Sequence, residues 1–397
     1  MDTVILKLHS PYSKFRVANI SFFLPELTKR RFSDLSPTEK QSTRRYLRAF
    51  RFEPPHQDAY LPKIEVFEAL NEDRDEVLYT LQATFSVPKL LYGNSVQEVS
   101  ENDLEKVVYA FRRALANAGI EVESNSIVNA RVSQAHFCKN VLLPPDIRMQ
   151  EVLAELKRTD ISKAVDITQK EFKHGGQVLH IYSQTVERVF YDKVLDALRP
   201  KAKRKDKGRM EREREVIDRY GLENREIFRY EYRLKKNQTL KRDVNAALGR
   251  PYETRILLKD LFEPELCKKI VQKSWHDLIQ RPENQLALIG PTDDLSLLLH
   301  IMDGARRQDG GAHSMNRAFT SYGLTRAIRD HGAKEVRRAV FTSWNRDHSE
   351  RLTKKMETAA ALTANLPYSN SIAFIVAALE RFECITRASL EAGDIGR

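Results

Sequence analysis

The sequence predicts an α+β fold: an antiparallel-sheet core, a strand-rich amino-terminal region and an α-helical carboxy-terminal domain. Three observations lead there. Short segments of alternating, β-branched and aromatic residues dominate up to about residue 236. They follow the order strand, helix, hairpin, charged linker, strand, which is not the regular alternation of a parallel βαβ fold. From about residue 255 the apolar spacing turns helical.

Taken in order, Thr3 to Leu8 alternates apolar and polar residues, and VLYTLQATFSV at 77–87 has strand composition. After the turn-prone Gly93-Asn94, Ser100 is placed to cap a helix with Asp103 as its reciprocal partner. LEKVVYAFRRALANAG then runs at helical spacing and Gly119 stops it. SIVNARVSQAHFCKNVL at 126–142 reads as a strand, and Met149 to Leu156 as a helix. GGQVLHIYS at 175–183 and VERVFYDKV at 186–194 form a strand pair around a short turn, and REIFRYEYRLKK at 225–236 is one more strand. Beyond it, ILLKDLFEPELCKKIVQKSWHDLI and DDLSLLLHIMDGARR are helical, with Thr292 as the cap of the second. YGLTRAIRDHGAKEVRRAVFTSW at 322–344 reads as helix, turn at Gly332, helix; Arg337 and Arg338 lie in its second helix. That spacing fits a helix-turn-helix and equally any α-hairpin.

A chain of 397 residues exceeds one core, and the segments divide it at 1–125, 126–250 and 251–397. Lys and Arg outnumber Asp and Glu by 66 to 55, a net charge of +11, which suits a partner made of phosphates. Between Arg199 and Arg214 nine basic residues face three acidic ones. This linker is either a solvated loop or a segment that tracks a polyanion. Cys138, Cys267 and Cys384 are odd in number and far apart, so no disulfide framework or cysteine zinc site is indicated, and a reducing cytoplasm is expected. Neither a signal peptide nor a membrane helix is expected. No GxxxxGK[ST] loop, GxGxxG turn, HExxH or GxSxG motif occurs, which sets aside nucleotide hydrolysis, zinc proteolysis and serine esterase chemistry.

The remaining chemistry lies in the middle of the chain. In VERVFYDKV, Tyr191 and Lys193 are two apart and share a face if the strand continues. A nearby ammonium or a metal-polarised phosphate would favour the phenolate, while the bland reading is a half-buried tyrosine beside a surface lysine. In IFRYEYRLKK, alternation puts Arg229, Glu231 and Arg233 on one face and Phe228, Tyr230, Tyr232 and Leu234 on the other. Glu231 between two arginines is an ion-pair ladder or a metal ligand. His136 and His180, each on a strand, are further candidate ligands for a divalent cation.

Four segments together resemble the gene II replication initiators of filamentous phages: FSVPKLLYGNSVQEV, SIVNARVSQAHFCKN, VERVFYDK and FRYEYRLKK. The resemblance spans roughly residues 3–245. It implies a nuclease core that nicks one DNA strand, stays joined to the 5′ phosphate through a tyrosine and later rejoins the ends. Rolling-circle replication in a bacterial cytoplasm follows, with origin DNA and a host helicase as partners. On this basis Tyr191 is the nucleophile and Lys193 its lysine. Mg²⁺ or Mn²⁺ would be held by Glu231 with one or both of His136 and His180. Arg229, Arg233, Lys235, Lys236 and the linker residues Lys201, Lys203, Arg204 and Lys205 would meet DNA. Where the family carries Arg-Ile-Asp, this chain reads Arg131-Val132-Ser133, and His136 shares the face of Ser133 only across a bulge. A DNA-binding regulator without catalysis is the alternative; a conjugative relaxase would show a clearer histidine cluster.

Overall fold

The computed structural model describes residues 1–9, 15–17, 23–26, 46–52, 60–71, 76–160, 169–173, 177–183, 185–199, 207–309, 313–344 and 346–391. Its fold is α+β. The strands are β1 (Thr3–His9), β2 (Phe15–Val17), β3 (Phe23–Glu26), β4 (Tyr46–Phe52), β5 (Lys63–Asn71), β6 (Glu76–Ser86), β7 (Ile120–Val122), β8 (Arg131–Leu142), β9 (Gln169–Lys173), β10 (Val178–Tyr182), β11 (Val186–Asp192) and β12 (Ile227–Leu234). Ten of them form one sheet in the order β3-β4-β5-β6-β1-β8-β12-β11-β10-β9, and β2 pairs with β7 separately. Neighbouring strands run antiparallel throughout.

Alternation in β1 sends Val4, Leu6 and Leu8 to one face, opposite Phe85, Ala83 and Leu81 of β6. The same face of β11 and β12 carries Phe190, Phe228 and Tyr230, all within about one ring diameter of Trp275 in the helix Leu266–Ile279. Tyr230 donates its hydroxyl to Ser274 Oγ at 2.7 Å, so the buried polar tip is satisfied where the ring is apolar. The helix Leu104–Asn117 covers the β6 end of this face, with Phe111 stacked on Phe85 at 4.7 Å. Its start carries the expected capping box between Ser100 and Asp103.

The helices between Leu266 and Arg381 fall into two sets. Leu266–Ile279 and Asn370–Arg381 contribute Trp275, Ile372 and Leu379 to the core of the sheet. Between them, the helices from Pro282 to Thr363 pack around their own apolar clusters, centred on Ile328, Met356 and Ala359 and on Leu297, Ile301 and Ala318. Among the described residues no helix is long and apolar enough to cross a membrane.

Four local expectations change. The strand expected over 186–194 ends at Asp192, because the Asp192 carboxylate accepts the amides of Val194 and Leu195 and starts the helix Lys193–Leu198. The strand expected from 126 begins at Arg131, after the short helix Ser124–Val128. Asp293 rather than Thr292 caps the helix after it, accepting from Ser296 N at 2.9 Å, while Thr292 donates to Gly290 O. The helix pair around Gly332 is present, but Arg337 is held by Asp160 at 3.0 Å and Glu283 at 2.9 Å and is not free to read a groove. Gly332 itself has φ +85° and sits so close to Arg158 O that a Cβ would approach to 3.1 Å, so a side chain there would strain the docking.

Candidate active site around Tyr191

The polar face of the sheet centre is an ordered grid. Register places Asn140, Arg229, Tyr191 and Val178 in one row across β8, β12, β11 and β10. The next row is Cys138, Glu231, Val189 and His180; the third is His136, Arg233, Glu187 and Tyr182. The expected alternation of Arg229, Glu231 and Arg233 is therefore present, turned away from Trp275 and covered by the loop that follows Gly93.

Glu231 is the centre of the grid. Its Oε1 accepts from Tyr191 Oη at 2.6 Å and from Arg229 Nε at 2.7 Å; its Oε2 accepts from Arg233 Nε at 2.8 Å and Arg233 Nη2 at 2.6 Å. Four donors fill the four acceptor positions of a carboxylate. Burial alone would raise this carboxyl, but the two guanidiniums outweigh it and hold Glu231 far below the usual range. Arg229, 1% exposed, also reaches Asp2 Oδ2 at 3.2 Å, Ser95 O at 3.1 Å and Asn140 Oδ1 at 3.0 Å. Glu187 ties Arg233 at 3.4 Å to Lys235 and to His180 Nε2 at 3.2 Å.

Tyr191 is pushed well above its ordinary value of 10.0, by burial first; Arg229 pulls the other way and Glu231 adds to the rise. A free phenolate is thus strongly disfavoured, and the proton is held on the hydroxyl that points at Glu231. Lys193 does not share the strand face of Tyr191, because the helix begins at Lys193 itself. Its buried ammonium turns to Glu213 Oε1 at 3.5 Å.

The three expected metal ligands are not brought to one point. Val189 stands between His180 and Glu231 in their row, a separation of two strand spacings, or roughly 10 Å. His136 neighbours Arg233, and burial followed by that guanidinium lowers its pKa, leaving it neutral near pH 7. Among the described residues no three His, Cys, Asp or Glu side chains are grouped as a metal site. With every acceptor position of Glu231 filled, this donor set does not fit a Mg²⁺ or Mn²⁺ ion in the arrangement seen. A bulge between Ile5 and Leu6 does shift β8 against β1. Ser133 and His136 are consequently both half-buried on the polar side, while Val132 and Ala135 point to the core.

Of the expected DNA contacts, Arg229 is internal, Arg233 is 29% exposed, and Lys235 and Lys236 are exposed. Lys201, Lys203, Arg204 and Lys205 lie outside the described residues. Sequence reasoning passed over Asp2, Ser95, Asn140, Glu187 and Glu213, each of which binds a charged group of this region. Only the pairing of strands distant in the chain brings them together, so no local pattern announces them.

Four carboxyls here sit below their unfolded values: Asp2, Glu187, Glu213 and Glu231. Asp192 is the opposite case, pushed up to about 6 by burial. A depressed carboxyl contributes stability that is complete above its unfolded pKa of 4.5 or 3.8 and is lost as pH falls through the folded value. Asp192 contributes with the reverse sign, losing stability as pH rises through about 6. With four against one, urea midpoints should drop steeply below pH about 4.5, and Glu231→Gln should flatten that acid limb. An acid limb equally steep in the variant would remove Glu231 from the account.

No family model matches this chain, and no curated protein or solved structure matches it either.

Proposed function

We propose that the chain is a rolling-circle replication initiator that nicks one DNA strand through Tyr191 and rejoins it. One observation carries this reading: the four segments that resemble the gene II initiators, distant in sequence, meet in a single network. Ser95 of the first binds Arg229 of the fourth, Asn140 of the second binds the same guanidinium, and Tyr191 of the third binds Glu231. Unrelated surface motifs have no reason to converge in this way.

The chemistry follows from the contacts. Tyr191 Oη attacks a phosphodiester in line, and its proton passes to Glu231 Oε1, 2.6 Å away. Because Glu231 is a weak base, the transfer accompanies formation of the O–P bond and does not precede it. The 3′ oxygen leaves and takes a proton from water. The phosphotyrosine keeps the bond's free energy, which permits rejoining without ATP. Conversion of supercoiled origin DNA to open circles, with a covalent adduct mapped to Tyr191, tests the proposal. Absence of nicking with Mg²⁺ and with Mn²⁺ would favour the second reading, a DNA-binding regulator without catalysis. The filled carboxylate and the firmly held phenolic proton support that second reading.

The basic run belongs to either reading. Changing Lys201, Lys203, Arg204 and Lys205 together to Gln should weaken DNA binding across sequences and flatten its salt dependence by roughly 0.7–0.9 per lost phosphate contact. A slope equal to that of the unmodified chain would make the run an ordinary solvated loop.

A further inference from the structure

Beside the tyrosine network lies a second cluster of buried charge, one that the proposed chemistry does not use. Glu213, in the helix Lys207–Arg219, points inward on the same face as the buried Ile217 and is 2% exposed. Its Oε1 receives Lys89 Nζ at 2.9 Å, Lys193 Nζ at 3.5 Å and Ser95 Oγ at 2.8 Å. The three donors come from three separate places: Lys89 and Ser95 flank the tight turn at Gly93, and Lys193 opens the helix after β11. The Lys89 and Lys193 side chains are 11% and 3% exposed, a burial that lysines seldom reach unless paired, here with Glu213.

The stoichiometry is uneven. Three donors crowd one oxygen that has two lone pairs. A phosphate diester, whose single negative charge is shared by two non-bridging oxygens beside two ester oxygens, would spread the same donors over several atoms. The Ser95 carbonyl binds Arg229, which shares Glu231 Oε1 with the phenol, so an anion here would border the tyrosine network. Glu213 also lies within the basic run 199–214, the segment with the highest density of positive charge in the chain.

We propose that Lys89, Lys193 and Ser95 form a phosphate subsite for the DNA backbone, and that Glu213 occupies it as an internal phosphate mimic while DNA is absent. This rests on the reading of the chain as a DNA-strand nickase. Binding of a strand exchanges the carboxylate for a backbone phosphate.

The test is the affinity of Glu213→Gln for a short single-stranded oligonucleotide, by fluorescence anisotropy, with inorganic phosphate as a second probe by thermal shift. The amide keeps the shape of the side chain and removes the competing charge. Oligonucleotide binding should tighten about tenfold, inorganic phosphate should stabilise the variant more than the unmodified chain, and adding Lys193→Gln should cancel both gains. Glu213→Asp, which keeps the charge but retracts it by one methylene, should show a smaller gain of the same sign. Unchanged or weaker binding in the folded variants, or gains that survive loss of Lys193, would overturn the subsite. Failure of both variants to fold would mark Glu213 as a structural ion pair and overturn it as well. Cleavage is not read in these measurements. A chain that never cuts DNA but gains phosphate affinity on Glu213→Gln keeps the subsite and loses the nickase, and one that nicks without that gain does the reverse.

Discussion

Tyr191→Phe should abolish both strand cleavage and the covalent protein–DNA adduct while leaving the fold and DNA affinity in place. The substitution removes one oxygen, and the ring keeps its place at the end of β11. The cost to stability should be about 1.5–3 kcal/mol, the range for a hydrogen bond to a charged group, because Glu231 loses one of its four donors. Plasmid nicking, adduct formation on denaturing gels and urea unfolding separate these outcomes. Cleavage that persists at the original rate would move the nucleophile elsewhere, with the half-buried Tyr182 as the next candidate, since Tyr230 and Tyr232 face the core.

Arg229→Met should have the largest effect on stability, about 3–5 kcal/mol. The guanidinium is fully enclosed, and its removal leaves Asp2 and Glu231 as buried carboxylates without their main counter-charge and Ser95 O and Asn140 Oδ1 without a donor. Arg229→Lys should recover little of this, since a single ammonium cannot reproduce the fork that reaches all four groups. Arg233→Met is the control: its side chain is 29% exposed and water can replace part of what it gives, so a loss on the order of 1 kcal/mol is expected. Chemical denaturation at pH 7 measures all three. Equal losses at 229 and 233 would show that burial does not set the energy of this network.

The parts of this architecture that obey short periods were readable from the sequence. Period two in IFRYEYRL separated Arg229, Glu231 and Arg233 from the aromatic face, and the serine and aspartate three apart marked the start of a helix. The fate of Lys193 was also written locally, since an aspartate before KVLDAL is a helix cap, but the β-branched residues upstream outweighed it. Glu213 and Asp2 were beyond reach. Glu213 meets Ser95 across 118 positions, and although it shares a helix face with Ile217, EREREVIDR does not show what that face meets. A long-range pairing also decided the metal question: Val189 lies between Glu231 and His180 because of how β10, β11 and β12 align, which no single strand reveals. Nor does a sequence display the saturation of a carboxylate, which depends on the geometry of two arginines and a phenol at once.

The position of β1 has a consequence for how the molecule comes together. This first strand is the seam between two halves of the sheet, β3 to β6 on one side and β8 to β9 on the other. Its partners are far along the chain: Asp2 meets Ser86 across 84 positions, and Ile5 meets Ser133 across 128. During synthesis β1 must therefore wait, unpaired, until both neighbours, which come later in the chain, have been made. Such non-local closure is slow, and an alternating apolar strand left open in the meantime is prone to pair with other chains. Because Asp2 is also a counter-charge for Arg229, the polar grid around Tyr191 reaches its final charge balance only when this seam closes. Maturation of the site and joining of the two half-sheets are thus one event, and refolding followed by tyrosine or tryptophan fluorescence should show them in the same slow phase.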